Sequence, residues 1–414
     1  MSKEKAIYTN DALETIREED SLPLSKTIIL GIQHTFTMFG ATVLVPIITG
    51  LDISVALFMA GVGTLLFHFI TKGKVPAFLG SSFAFIAPIL LVANHSDFGM
   101  PYALGGIVVA GIIYLILAGL VYAVGYQKVV AFFPPIVTGP IIMVIGLKLA
   151  PVAIDMASGG WLMAIVSFLI VAGVSVYTRG FIKLLPVICG LVGGYLFAVI
   201  TGNVDFSPVS NAAVVGVPNF TIAKFNFTAI MMVAPVAIAT MVEHIGDVLA
   251  IGETVKKDFM KNPGLHRTLI GDGIATTISA MFGGPANTTY SENTGVLALT
   301  RVHKPLIMQV AACFAILLGV LPKLGAVIST IPTPVVGGIS IILFGMIAAI
   351  GGRTLVENKV DLSKSRNLII AAVILVLGLG GAVLPIPIKG TEITIEGMAL
   401  AAIVGIVLNK ILPE

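Results

Sequence analysis

Apolar stretches of membrane-spanning length follow one another from about residue 27 to the C-terminus, with almost no charge between their ends. A helix needs roughly 20 apolar residues to cross the hydrocarbon core. On that measure the chain divides into about 14 crossings, some shorter than the norm. They run near 27–49, 53–71, 83–94, 102–123, 129–150, 160–178, 184–202, 228–250, 268–282, 291–301, 305–322, 331–351, 367–384 and 396–412. Composition agrees, because 57% of residues are hydrophobic and only 11% charged, against about 25% charged in soluble domains. A water-soluble globule exposes too much surface to hide so much apolar area. The bilayer is the natural solvent for this chain, and a formal charge of +3 is too small to point to nucleic acid.

Where the charges sit is more telling. Residues 1–26 are polar, carry mixed charge and lack the apolar core and cleavage site of a secretory signal, so a cytoplasmic tail is expected there. With that tail inside, only Lys148, Lys224, Lys323 and Lys389 of the 24 Lys and Arg residues fall near the outer side. Adding or dropping one span reverses the sidedness of every later loop. An even count with both termini cytoplasmic is therefore expected. Cys189 and Cys313 lie inside apolar runs, which indicates neither a disulfide nor a metal site.

Two crossings are too short and too polar for ordinary helices. One is Pro76-Ala77-Phe78-Leu79-Gly80-Ser81-Ser82-Phe83-Ala84-Phe85-Ile86, and the other is Gly283-Gly284-Pro285-Ala286-Asn287-Thr288-Thr289-Tyr290-Ser291-Glu292-Asn293. Each is an extended stretch of small polar residues leading into a short apolar run. Unpaired backbone cannot face lipid, so such stretches line an enclosed cavity unless they are plain Gly/Pro kinks. They are the third and tenth crossings, the same place in each half of a seven-plus-seven arrangement, as expected of inverted-repeat transporters.

Acids near the bilayer centre are costly and are functional candidates by default. Glu243 and Asp247 lie four apart in the eighth crossing, on one helix face about 6 Å apart along the axis. Two neighbouring carboxyls in a low-dielectric site repel, so at least one should hold a proton easily, which suits proton coupling. The alternatives are a hydrogen-bonded packing residue for Glu243 and a hydrated helix end for Asp247. Glu292 opens the tenth crossing and either binds a ligand, caps its short helix, or does both. His34, beside Gln33 in the first crossing, reads as a packing contact before a ligand. His244 points to a different helix face from Glu243. Asp258, Asp272 and Asp361 are expected in or beside cytoplasmic loops, solvated.

These residues sit in stretches that resemble the nucleobase–cation symporter-2 (nucleobase–ascorbate transporter) family, in its bacterial uracil permease branch. The stretches are Gln33-His34-Thr35-Phe36-Thr37-Met38-Phe39-Gly40-Ala41-Thr42-Val43-Leu44-Val45-Pro46, Gly80 to Ile86, Glu243-His244-Ile245-Gly246-Asp247, Lys256-Lys257-Asp258, Pro263-Gly264-Leu265-His266-Arg267, and Asn287 to Val296. They follow one another in one order, and the resemblance runs from about residue 27 to 410.

The resemblance implies an all-α polytopic membrane protein with about 14 transmembrane segments in 7+7 inverted repeats and short strands in the broken segments 3 and 10. After the 1–26 tail, residues 27–126 and 228–323 form a core domain, and residues 127–227 and 324–414 a gate domain. It also implies a substrate between the strands and the half-helices, whose N-termini offer N–H groups to substrate oxygens. Uracil fits: Glu243 and Glu292 accept from its N–H groups, backbone N–H groups at Phe83 and Ser291 meet its carbonyls, and Phe83 or Tyr290 packs on the ring. Ser82 and Ala41 complete the expected binding set, while Asp247, Glu243 and His34 are the expected proton-coupling set. A Glu rather than a Gln-type residue at position 292 is similar to the uracil branch and unlike purine carriers. The match is incomplete, since the uracil-carrier pattern has His where this chain has Asp247, Gly at Ser291 and Tyr at Phe344.

The implied partners are uracil or a related nucleobase, a proton, the lipid bilayer of the inner membrane and, through the gate domains, a second copy in a homodimer. No cofactor or metal is called for. The rival functions are a purine, xanthine or urate symporter of the same fold and an anion carrier or channel of related architecture. An anion site should avoid the acids found here. A membrane enzyme or ATP-driven pump is disfavoured because no catalytic triad, metal-ligand cluster or phosphate-binding loop occurs.

Overall fold

Proline, glycine and aspartate set where the apolar runs become separate helices. The computed structural model describes residues 22–388 and 391–413, so most of the expected cytoplasmic tail lies outside the described residues. Helix α1 (Leu24–Thr49) ends at Gly50, whose φ of 81° is the left-handed stop and whose N–H reaches Pro46 O at 2.8 Å. Two residues later Asp52 caps α2 (Ile53–Ile70), its Oδ1 accepting from Val55 N–H at 2.9 Å. An extended segment then contains strand β1 (Leu79–Ser81) and a 3-10 turn (Phe83–Phe85), followed by α3 (Ile86–Ala93) and α4 (Met100–Val124).

The next stretch holds α5 (Pro135–Lys148), α6 (Ala150–Ser158), α7 (Trp161–Tyr177) and α8 (Pro186–Ile200). The short helix Phe227–Val233 and a turn at Pro235 lead into α9 (Ala237–Val255) and α10 (Leu265–Met281). Strand β2 (Asn287–Thr289), α11 (Ser291–Thr300) and α12 (Pro305–Gly319) complete that region. The last elements are α13 (Thr333–Glu357), α14 (Ser365–Leu379), β3 (Val383–Ile388), β4 (Thr391–Glu396) and α15 (Gly397–Ile411).

Among the described residues six helical stretches have the length and hydropathy to cross a membrane, or seven if α12 and the following Pro322–Ser329 helix, bent by 78°, form one span. The expected 14 segments depend on counting the shorter apolar helices as well, including Phe83–Ala93, α7, α8, α14 and α15.

Two sets of helices pack mainly among themselves. In one, α2 lies against α10 and α12, α4 against α10, and α1 against α12. Small residues let these backbones approach: a Cβ on Gly273 would fall 2.8 Å from Gly111 O, and one on Gly111 would fall 2.7 Å from Gly273 O. In the other set α13 packs on α5, α6 and α7, α7 on α8, and α14 on α5 and α15. There Ser167 Oγ donates to Val335 O at 2.9 Å. Contacts of α9 with α5 and α15, and of α1 with α8, join the sets.

The antiparallel hairpin of β3 and β4 departs from the expectation of strands only in the broken segments. The thirteenth crossing was expected to run to 384, but α14 stops at Leu379. Pro385 and Pro387 remove two backbone donors, which a helix needs and an edge strand can spare.

Candidate substrate and proton site

The two broken segments meet. β1 pairs antiparallel with β2, with Leu79 opposite Thr289, Gly80 opposite Thr288 and Ser81 opposite Asn287, and all six residues are buried. Ser82 N–H to Ala286 O at 2.9 Å and Tyr290 N–H to Phe78 O at 3.0 Å extend the ladder at both ends.

A two-stranded ribbon leaves two outer edges to satisfy in the dry interior. One threonine serves each. Thr64 of α2 accepts from Leu79 N–H at 2.9 Å and donates to Leu79 O at 3.3 Å. Thr276 of α10 accepts from Asn287 N–H at 3.2 Å and donates to Asn287 O at 3.0 Å. One turn away on each helix a second side chain holds the approach to the strand: His68 Nε2 lies 2.9 Å from Ala77 O, and Ser279 Oγ donates to Pro285 O at 2.6 Å. None of these four supports was singled out from the sequence. The signal available was a hydroxyl on each of two helices flanking the Pro-led segments, which periodicity does not reveal.

Tyr290 stands across the ribbon. Its ring lies over Gly80, where a Cβ would strike the ring carbons, and its hydroxyl donates to Ser81 O at 2.9 Å. Thr42 Oγ1 of α1 is 3.4 Å from the same hydroxyl, and Ser81 Oγ donates to Thr42 O at 3.0 Å. Tyr290 is thus a buried strut tying α1 to both strands, and Ala41, next to Thr42 on α1, is buried.

The half-helices start where the strands end. Neither the turn at Phe83 nor α11 receives a side-chain cap from the residue before it. Ser82 Oγ is buried with no hydrogen-bond partner among the described residues. Phe83 and Glu292 are half-buried and Ser291 is exposed, in contrast to the fully buried strands behind them. Glu292 occupies the first turn of α11. Phe83 meets Phe344 of α13 edge to face, with centroids 6.1 Å apart.

α9 packs against both β2 and α11, placing Glu243, half-buried, within electrostatic reach of Glu292. Asp247, one turn on and also half-buried, accepts from Thr289 Oγ1 at 3.0 Å. The second acid is therefore tied to the strand that leads into Glu292. His34 is fully buried on α1 and is joined to α11 by Asn293, whose Nδ2 lies 3.0 Å from His34 Nδ1 and 3.1 Å from His34 O. His34 thus touches the residue next to Glu292.

Asp272 corrects the expectation of a solvated loop acid. It is fully buried on α10, with Oδ2 3.3 Å from Nδ1 of the equally buried His244. The helix begins at Leu265, earlier than the sequence suggested, which sets Asp272 about 10 Å inside it. Asp258 and Asp361 are exposed, as expected.

Comparison with known proteins bears on this arrangement. The Permease family model matches residues 25–386. The uracil permease of Bacillus caldolyticus is 47% identical over 410 residues, covering 95% of this chain and 94% of that protein. The chain belongs to the nucleobase–cation symporter-2 family. The uracil permease of Escherichia coli K12, at 42% identity over 400 residues, covers 94% of the chain and 92% of its own length. Among solved structures, the transmembrane domain of the cyanobacterial bicarbonate transporter BicA aligns with a TM-score of 0.62 at 15% identity, covering 94% of this symporter-family chain and 97% of that domain. SLC26A9 aligns with a TM-score of 0.68 at 12% identity; the chain spans 64% of its length. At such identities the likeness is one of fold alone. As a family member the chain is a multi-pass membrane permease, not an enzyme.

Proposed function

We propose that this chain imports uracil together with a proton across the inner membrane. The observation that carries the reading is the placing of Glu292, in the first turn of a half-helix that follows a buried strand, within electrostatic reach of Glu243. Uracil presents N–H donors and carbonyl acceptors on one edge. Two carboxylates accept from the former, and the uncapped N–H groups at Phe83 and Ser291, with Ser82 Oγ, donate to the latter. Phe83, backed by Phe344, offers a ring face or edge to the base. Tyr290 holds the strands that carry these groups, and Ala41 of α1 completes the binding set.

Asp247 couples the proton. Through Thr289 it senses the strand leading to Glu292, and through its own helix it senses Glu243. Protonation quenches the repulsion between the acids and eases the change of access. His34, held by Asn293, relays the state of α1 to α11.

The proposed architecture has about 14 segments in two inverted halves. Residues 27–126 and 228–323 move as the core against a gate of 127–227 and 324–414, with both termini cytoplasmic and a homodimer formed through the gates. The matching roles of Thr64 and Thr276 on α2 and α10, the second and ninth of those segments, support the inverted relation.

The test is radiolabelled uptake in proteoliposomes with an imposed pH gradient and a panel of nucleobases. Uracil accumulation that collapses with the gradient, uncompeted by xanthine, is the expected result. Accumulation of xanthine or urate in preference moves the reading to a purine symporter. Glu292→Gln sharpens the distinction, because it should weaken uracil and relax exclusion of purines. Unchanged uptake and competition in that variant reduce Glu292 to a helix cap.

A further inference from the structure

Away from the substrate site, the outer surface of α4 and α10 encloses a groove of about 600 Å³. Its walls are apolar, formed by residues such as Leu115 and Gly119 of α4 and Ile274 of α10. One end differs. There Tyr122, His266 and Arg267 line it, and no carboxylate does. That end is where α2 and α4 finish and α10 begins. Arg267 Nη1 donates to Ile70 O at 3.2 Å, which fixes the side chain and leaves other guanidinium N–H groups available. The Tyr122 ring stands edge-on to His266, centroids 5.4 Å apart.

The dimensions suit one class of occupant. From His266 to Ile274 the helix rises about 12 Å, within one leaflet of a hydrocarbon core about 30 Å thick. A polar solute would find nothing to bond along the walls. An acyl chain fills such a trough, and the phosphate of its headgroup then falls at the cationic end. A zwitterionic headgroup brings its own cation to that end, whereas an anionic one does not. Lys and Arg also mark this end as cytoplasmic.

We propose that this groove is a binding site for an anionic phospholipid, with an acyl chain between α4 and α10 and the headgroup phosphate on Arg267 and His266. The site is independent of the substrate reading and rests only on the chain being a multi-pass membrane protein.

The chain has one tryptophan, Trp161, so a reporter is simple to build. Trp161→Phe with Tyr122→Trp places a single fluorophore at the headgroup end. The protein is reconstituted into bilayers of phosphatidylcholine and phosphatidylglycerol in which one or the other lipid is brominated. Brominated phosphatidylglycerol should quench with an association constant roughly fivefold above that of brominated phosphatidylcholine, the preference of about one interfacial cation. Gly119→Leu fills the groove without disturbing the helices, since a Cβ at Gly119 meets no atom within 4 Å, and should bring the ratio to one. Arg267→Gln should do the same, and Arg267→Lys should restore part of the preference. A ratio of one in the reporter protein overturns the proposal. So does a preference that survives either Gly119→Leu or Arg267→Gln, because the headgroup then lies elsewhere on the surface.

Discussion

The two half-sites share a frame and differ in chemistry. Each has a buried three-residue strand, a threonine on a neighbouring helix serving its outer edge, and a short helix starting where the strand ends. Past β1 come Phe83 and the wholly apolar α3; past β2 come Ser291, Glu292 and Asn293. The acids of α9 face the second half-site, with Asp247 bonded to Thr289. Backbone support is thus duplicated, while the carboxylates are confined to one copy. On the proposed reading, one half is a fixed wall for the base while the other senses protons.

The largest test of this asymmetry is Glu243→Gln. It replaces a carboxylate acceptor by an amide and removes charge-assisted hydrogen bonds of about 1.5–3 kcal/mol each. Uracil binding should fall below detection in calorimetry; wild-type affinity would remove Glu243 from the site. Next is Asp247→Asn, which holds the group in a permanently protonated-like form. Counterflow exchange of uracil should persist while accumulation driven by a pH gradient is lost. Normal gradient-driven uptake would make Asp247 an ordinary hydrated acid.

The shared frame is tested by Thr64→Val and Thr276→Val, measured as thermal unfolding in one detergent. Each leaves a buried strand edge unserved and should cost about 1–3 kcal/mol. Equal losses sharpen the equivalence of the two supports, and a loss at only one position breaks it. The smallest effect is expected from Phe83→Leu. It removes an aromatic contact with Phe344 worth about 0.5–1.5 kcal/mol and should weaken uracil by roughly tenfold or less, with the pH dependence of uptake unchanged.

Much of this was legible because lipid imposes simple rules. Long apolar runs gave α1, α2, α4 and α13, and the small polar residues after Pro76 and Pro285 marked the stretches that meet as β1 and β2. Glu243, Asp247 and Glu292 stood out because an acid in an apolar run is rare. The supports did not stand out. Thr64 and Thr276 look like ordinary helix threonines until the strands lie beside them, and Asn293 becomes a clamp only when α1 brings His34 to it. Asp272 was misplaced because it lies only four residues past the expected start at 268, about the error of a boundary read from hydropathy, and the helix in fact begins at Leu265. The β3–β4 hairpin was missed because most of it falls between the expected crossings 367–384 and 396–412, where no strand was expected.

The ribbon at the centre of the protein has a consequence for how the chain is made. Ser81 waits for Asn287, about 200 residues later on the ribosome, and at synthesis rates of about 5–20 residues per second the delay is roughly 10–40 s. Through that interval β1 sits at the membrane without its partner strand. The Thr64 hydroxyl, by contrast, belongs to a helix made just before β1 and is present from the outset. It can serve as a placeholder that keeps one edge of the nascent strand bonded during biogenesis, until translation delivers the other.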